Sequence, residues 1–310
     1  MLIGVDIGGT KIAAGVVDAD GRVLERIQAS TPVTRGAEAI VTTAAELVQG
    51  LLRLHGPVSA VGVGSAGQVD HESGIVVDAN ENLPGFRGLP LRERLEELLQ
   101  LPVAVENDVK AAALAEAQLG AGRGVRQMLL VMVGTGIGGA LVLDGKVYRG
   151  ASGVAGELGH LLFRPEQGRL CPCGRRGCIE GYASGRAIME IYAEESGRSI
   201  DVATIAKRAR DGETLAREVL TQAGRALGLT LGGLVNTLGP EAIVLGGGVL
   251  QVEELYLPAL EYGLQMQALP VMRRSCTVRR MELVHDAVLI GASLLAKERT
   301  EDGRRGQAAD

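Results

Sequence analysis

A chain of 310 residues, 46% hydrophobic and 22% charged, is long enough for a large core and has a globular balance. Its net charge of −5, with no long basic run, excludes nucleic acid and anionic membrane as partners, and it holds no run of about 18 apolar residues to span a bilayer. The opening MLIGVDIGGT has no basic n-region, so the expected setting is cytoplasmic, where disulfides are rare and clustered cysteines more often bind metal.

From Leu2, LIGVDIGGTKIAAGVVDADGRV reads as an apolar strand, a glycine turn, a second apolar strand, an Asp-Gly turn and a third strand. AEAIVTTAAELVQGLLRLHG has its apolar residues at helical spacing. SAVGVGSAG is a strand that ends in glycines, and LPLRERLEELL is an amphipathic helix with Leu91, Leu95, Leu98 and Leu99 on one face. PVAVEND is a strand running into the helix VKAAALAEAQLG, which stops at Gly120. LLVMVGTGIGGALVLDGKV, from Leu129, repeats the order of the first segment.

After the cysteine cluster the pattern is mostly helical, including a long run from Glu213 to Leu238. EAIVLGGGV is then a strand, DAVLIGASLLAKE a final helix, and RTEDGRRGQAAD a polar tail expected to fray. Strands alternating with helices make an α/β protein. The two matching segments are either ordinary hairpins or the two halves of a duplicated fold, and their shared order favours duplication. The expected division is an N-terminal domain over 1–120, a C-terminal domain over 121–296 and a tail over 297–310, with the helix at 287–298 able to pack back on the first domain.

Gly134, Gly136 and Gly139 match G-x-G-x-x-G, but ALVLDGKV follows them and is strand-like, whereas a dinucleotide site needs a helix there. GVGSAG fails in the same way, and G-x-x-x-x-G-K-[ST] is absent. What remains is phosphate contact by a hairpin turn. Gly8 and Gly9 leave backbone N–H groups open to an anion, Thr10 adds a hydroxyl and Lys11 a positive charge. The turn at Gly134, Thr135 and Gly136 could do the same; the alternative for each is a simple tight turn.

Asp108 follows an apolar strand and opens a helix, at the carboxyl end of a strand where ligands gather in open sheets. It reads as an N-cap, as a general base, or as both, since a helix N-terminus favours the ionised carboxylate that a base must be. His160, Cys171, Cys173 and Cys178 supply the imidazole and thiolates of a closed tetrahedral zinc site; free or redox-active thiols are the alternative. Glycines at 174 and 177 would let the chain fold back around the ion, and Cys276 stands alone as an ordinary reduced cysteine. Glu157 and Glu180 bracket the cluster, so a zinc-fixed loop would hold two carboxylates that suit vicinal hydroxyls, which suggests a sugar.

DIGGTK, GTGIGG, GELGH and CPCGRRGCIEG together resemble the ROK family of sugar kinases and repressors, within the actin/hexokinase/Hsp70 superfamily. The cysteine segment fits C-x-C-G-x-x-G-C-x-E at every fixed position, and the likeness extends to about Ala296. The resemblance implies a two-domain α/β fold of the actin/hexokinase-like (ribonuclease H-like) type, duplicated, with a structural zinc loop. Asp108 then resembles the base that deprotonates the sugar 6-hydroxyl, and Gly67, Asn82, Asn107, Glu157, His160 and Glu180 resemble sugar contacts, with His160 serving zinc as well. The turns at 6–11 and 134–139, Gly138 included, resemble phosphate-binding turns; Gly246 and Gly247 resemble glycines on the adenosine side, and Asp6 a carboxylate that orients magnesium.

The implied cofactors are ATP with Mg²⁺ and a structural Zn²⁺, the implied partner a hexose, and the implied assembly a homodimer or homotetramer. Family repressors carry an N-terminal helix-turn-helix for which residues 1–5 leave no room, which favours a kinase over a transcription factor; Asp108 and both phosphate turns count against a non-catalytic sugar-sensing regulator. Glucose is the expected hexose, with N-acetylmannosamine, N-acetylglucosamine and fructose as alternatives. Glu157 leans to glucose, because N-acetylmannosamine kinases of the family can carry His there; HDA at 285–287 resembles those acylamino-sugar enzymes and leans the other way.

Overall fold

The structure, a computed structural model, describes residues 1–79 and 82–307. In chain order it begins with β1 (Leu2–Ile7), β2 (Lys11–Val17), β3 (Val23–Ser30), α1 (Ala37–His55), β4 (Val61–Ser65), β5 (Gln68–Asp70), β6 (Ile75–Asp78), α2 (Leu91–Leu99), β7 (Val103–Asn107) and α3 (Asp108–Leu119). There follow β8 (Met128–Val133), β9 (Ile137–Leu143), β10 (Lys146–Tyr148), α4 (Glu180–Ala183), α5 (Gly185–Ser196), α6 (Val202–Arg210) and α7 (Thr214–Leu238). The last elements are β11 (Ala242–Gly246), α8 (Glu253–Gln267), α9 (Pro270–Arg274), β12 (Thr277–Arg280) and α10 (Ala287–Gln307). By packing, the chain forms two compact units. One holds Met1–Gly124, Lys146–Ala155 and the residues from Glu282 onward; the other holds Val125–Gly145 and Gly156–Met281.

The first unit is built on a sheet of order β3-β2-β1-β4-β7. The hairpin strands β1, β2 and β3 are antiparallel, while β1, β4 and β7 run parallel. All five residues of β4, VGVGS, are buried, as expected of a central parallel strand covered on both faces. On one side α1 buries Ile40, Val41, Ala44, Val48 and Leu51 in the core that also holds Ile3, Val5, Val63 and Val105. On α10 the packing is backbone to backbone. A Cβ at Gly4 would stand 1.9 Å from Leu289 O, and one at Gly62 1.7 Å from Ala292 O, so only glycine lets the helix come this close to β1 and β4.

The second unit repeats that order. β8 pairs antiparallel with β9 and parallel with β11, which pairs parallel with β12. Its helices α5, α6 and α7 share a core with Val131, Ile243 and Leu245; Tyr192 and Tyr256 are its largest buried side chains. The duplication read from the two glycine hairpins thus extends to both parallel strands of each sheet. β9 begins at Ile137, within GTGIGG, so a strand and not a helix follows the turn, as the rejection of a dinucleotide site requires.

Three features differ from expectation or went unseen. α10 continues to Gln307 instead of fraying after 298: Thr300 Oγ1 bonds Lys297 O at 2.8 Å and Arg299 reaches Glu96 of α2 at 3.4 Å. Residues 308–310 of the tail lie outside the described residues. The hairpin β5–β6 and the edge strand β12 carry too little apolar alternation to be read in advance. Among the described residues no helix is long and apolar enough to cross a membrane.

Candidate active site

In the first unit the register Ile7↔Ser65 and Ser65↔Asn107 sets the carboxyl ends of β1, β4 and β7 level. Asp6, Gly67, Asn107 and Asp108 therefore lie at one edge of the sheet, where side chains and turn backbone are free of the ladder. The β1–β2 turn beside them is closed by Gly8 N donating to Lys11 O (3.1 Å) and by Thr31 Oγ1 donating to Gly8 O (2.6 Å); Thr10 and Lys11 are exposed. Asn82 packs against this turn, with 2.8 Å between its Cβ and a Cβ placed on Gly9.

The cap of α3 is Asn107, not Asp108: Asn107 Oδ1 accepts from Lys110 N at 3.1 Å, and Asp108 is the first helical residue. Asn107 Nδ2 donates to Gly67 O and to Asp108 Oδ1, both at 2.9 Å, and Val109 N donates to the same Oδ1 at 2.8 Å. Burial, then repulsion from the Asp6 carboxylate, pushes Asp108 up to about 7. Burial likewise pushes Asp6 up to about 6, against the pull of Lys11 and Arg26. Two such carboxylates at one sheet edge suit a hydrated divalent cation, which would relieve both.

In the second unit, Gly134 N donates to Gly136 O at 3.0 Å to close the β8–β9 turn, with Thr135 exposed and Gly138 just inside β9. Gly246 pairs in register with Met132 of β8, and Gly247 follows it with its Cβ position 2.4 Å from Val133 O, so both glycines stand beside that turn.

The zinc candidates converge as the spacing suggested. The ligand atoms of His160, Cys171, Cys173 and Cys178 all lie within 4.8 Å of one another. Cys171 Sγ is 3.6 Å from His160 Nδ1 and Cys173 Sγ is 3.7 Å from Cys178 Sγ, matching the edges of roughly 3.5–3.8 Å that zinc's bond lengths give a tetrahedron. Gly174 and Gly177 take φ of +83° and +87° in the reversal, positions that favour glycine. Burial pushes the Cys171 thiol up to about 12, so it needs a cation at hand to ionise. The residues fit zinc, and this is a possible zinc site.

With Nδ1 turned to the thiols, His160 keeps Nε2 on the Glu157 side, 4.0 Å from Oε2. Glu157 is 41% exposed and open to a ligand, whereas Glu180 is 12% exposed and already accepts from Ile137 N at 2.9 Å. Cys171 Sγ lies 3.7 Å from Glu180 Oε1, so the carboxylate sits between the cysteine loop and the β8–β9 turn.

Four participants had no place in the sequence reading. Arg186 bonds Thr135 O through its amide (3.2 Å) and extends its guanidinium to 3.8 Å from Glu180. Next to Asn107 the buried Glu106 pairs with the half-buried Arg149, and His71 lies beside them, held toward its neutral form by burial and then by Arg149. The signal for Glu106 was present: a glutamate inside the otherwise apolar PVAVEN strand must find a cation. HDA, for its part, leads into α10, with Asp286 paired to Arg26 at 3.2 Å and its carbonyl accepting from Ile290 N at 2.8 Å.

A family profile described as the ROK family matches residues 2–299. The chain belongs to the ROK family. A glucokinase from Streptomyces coelicolor is 37% identical over 96% of this chain and 98% of its own length. An N-acetylmannosamine kinase from Shigella flexneri is 34% identical over 96% of this chain and 98% of its own. The crystal structure of a ROK family glucokinase from Streptomyces griseus in complex with glucose and AMPPNP superposes with a TM-score of 0.83 at 37% identity, covering 96% of this chain and 99% of that one. The α/β fold with two sheets described above is thus that of ROK sugar kinases.

Proposed function

We propose that this ATP-dependent sugar kinase phosphorylates glucose at the 6-hydroxyl, with Asp108 as the general base. The observation that carries the reading is the Asp108 carboxyl at the end of β7. Oδ1 is fixed by two donors, which leaves Oδ2 for a hydroxyl, and its affinity for protons is tuned near neutrality. As the glucose O6–phosphorus bond forms and the bond from Pγ to the β-phosphate bridging oxygen breaks, the O6 proton passes to Asp108 and ADP leaves.

The chain's other groups position and hold charge. The N–H groups of Gly9, Thr10, Thr135 and Gly136 would receive phosphate oxygens, Lys11 adds a positive charge, and Gly246 and Gly247, packed by their own Cα against Met281 and Val133, would border the nucleoside with backbone. Asp6 would hold magnesium through water, and the ion when bound supplies charge neutralisation on the phosphates. Asn82, Asn107, Glu157, His160, Glu180 and Gly67 would bind the sugar; Asn107 and Glu180 each act with hydrogen bonds already made to the protein.

Glucose is favoured by Glu157 and by the glucokinase relatives; the Shigella relative and HDA at 285–287 support N-acetylmannosamine as the second reading. The test is kcat/KM with ATP for glucose, N-acetylmannosamine, N-acetylglucosamine and fructose, with the phosphorylated position assigned by NMR. Glucose should lead by at least about tenfold, a gap of about 1.4 kcal/mol, and carry phosphate on O6. A lead for either N-acetyl sugar would replace the glucose reading.

A further inference from the structure

We propose that the Glu106–Arg149 ion pair positions the proton-accepting aspartate, an inference that rests on the reading of Asp108 as the base. Glu106 is the penultimate residue of β7, and its side chain is 1% exposed. Its Oε2 accepts from Arg149 Nε at 2.6 Å and its Oε1 from Asn107 N at 2.9 Å. His71 Nδ1 stands 3.4 Å from Oε2 on the other side and 3.2 Å from Val105 O. A carboxylate this deep is tolerated only with such partners, and each is in place.

The pair does more than satisfy a buried charge. Arg149 belongs to the segment Lys146–Ala155 of the first unit. Four residues on, Gly153 O accepts from Lys110 Nζ at 2.5 Å. The segment is therefore fastened to the chain at Glu106 and at Lys110, on either side of Asn107 and Asp108. Asn107 is held through its amide by Glu106, and its side chain passes that constraint on to Asp108 Oδ1 and Gly67 O. The strand β7 and helix α3 would form without the pair, since the ladder to β4 and the Asn107 cap already define them. What the pair adds is a fixed Asn107–Asp108 junction whose buried negative charge is neutralised, so Asp108 keeps a single orientation. Neither Glu106 nor Arg149 needs to touch substrate.

The experiment places Arg149→Met and Glu106→Gln in the parental chain and in an Asp108→Ala background. In the parental chain each should lower kcat by about tenfold to a hundredfold, the range that a misplacement near 1 Å produces. The KM for ATP should stay within about twofold, while calorimetric glucose affinity, in which Asn107 takes part, should weaken by less than kcat falls. Arg149→Lys, which keeps the charge, should recover part of the loss. In the Asp108→Ala background neither change should lower the residual rate further. If a single variant unfolds because it strands one charge, the paired Glu106→Gln/Arg149→Met variant carries the same comparison. Equal fold-losses in both backgrounds, or a parental kcat that does not fall, would overturn the proposal. A near-parental rate in Asp108→Ala itself is the separate sign that the base reading has failed, and the proposal falls with it.

Discussion

Asp108 is held by Asn107 Nδ2 and Val109 N yet kept from full ionisation by burial and by Asp6. Because the carboxylate form is the one that accepts a proton, kcat/KM should decline as pH falls below about 7, which a pH–rate profile of the sugar reaction will read. The same shift has a consequence for stability. The folded state holds this proton up to about 7, against an ordinary value of 3.8, so the carboxylate disfavours folding increasingly as pH rises between those values. Asp108→Asn should therefore be more stable than its parent at pH of about 8, with the gap closing as pH is lowered towards about 4. Thermal melts across that range check it, and a gap that widens on acidification would contradict it. At this scale the sequence was legible where a motif concentrates chemistry, as in END or CPCGRRGC. It was silent on hydrogen-bond direction: Asn107, read as a sugar contact, is also the helix cap and the group that orients Asp108.

Among the elements, the segment 160–178 packs Leu161 and Phe163 against the core of the second unit and leaves Leu162 and Leu170 exposed. Beyond that packing it is held by short bridges, Leu162 with Cys178 and Leu170 with Arg176, and by the convergence of its four candidate ligands. Zinc should add a large stabilisation to so short a loop, of the kind that folds isolated zinc peptides. Cys173→Ser, or exhaustive chelation, should lower the melting temperature and weaken glucose binding together, since His160 belongs both to the ligand set and to the Glu157 side of the loop. Metal content by mass spectrometry, melting and calorimetry on one sample check this; loss of metal with unchanged glucose affinity would detach the loop from the sugar. The glycine hairpins and the parallel strands were readable because apolar runs bounded by glycine leave few alternatives. β5, β6 and β12 were not, because three- and four-residue strands with mixed exposure carry no periodic signal. α10 runs on past the end of its apolar pattern, with Arg299 reaching Glu96, a tertiary contact that no local pattern reveals.

For the whole molecule, two units of matching strand order each bring their candidate groups to the carboxyl ends of parallel strands. One carries Asp6, Asn107 and Asp108; the other carries the β8–β9 turn, Gly246 and Gly247. The duplication was legible in the repeated order of strand, glycine turn, strand and Asp-Gly turn. The Glu106–Arg149 pair was not, because its partners are 43 residues apart and only the folded chain joins them. Kinase relatives over nearly the whole chain narrow the chemistry to phosphoryl transfer, and in the proposed reaction the single group asked to take the sugar's proton is Asp108. The most direct test is the turnover of Asp108→Ala with saturating glucose and ATP, alongside its glucose affinity by calorimetry. The account predicts a fall in kcat of about a hundredfold or more, as expected on removing a general base, with glucose still bound. Turnover within a few-fold of the parent would contradict it.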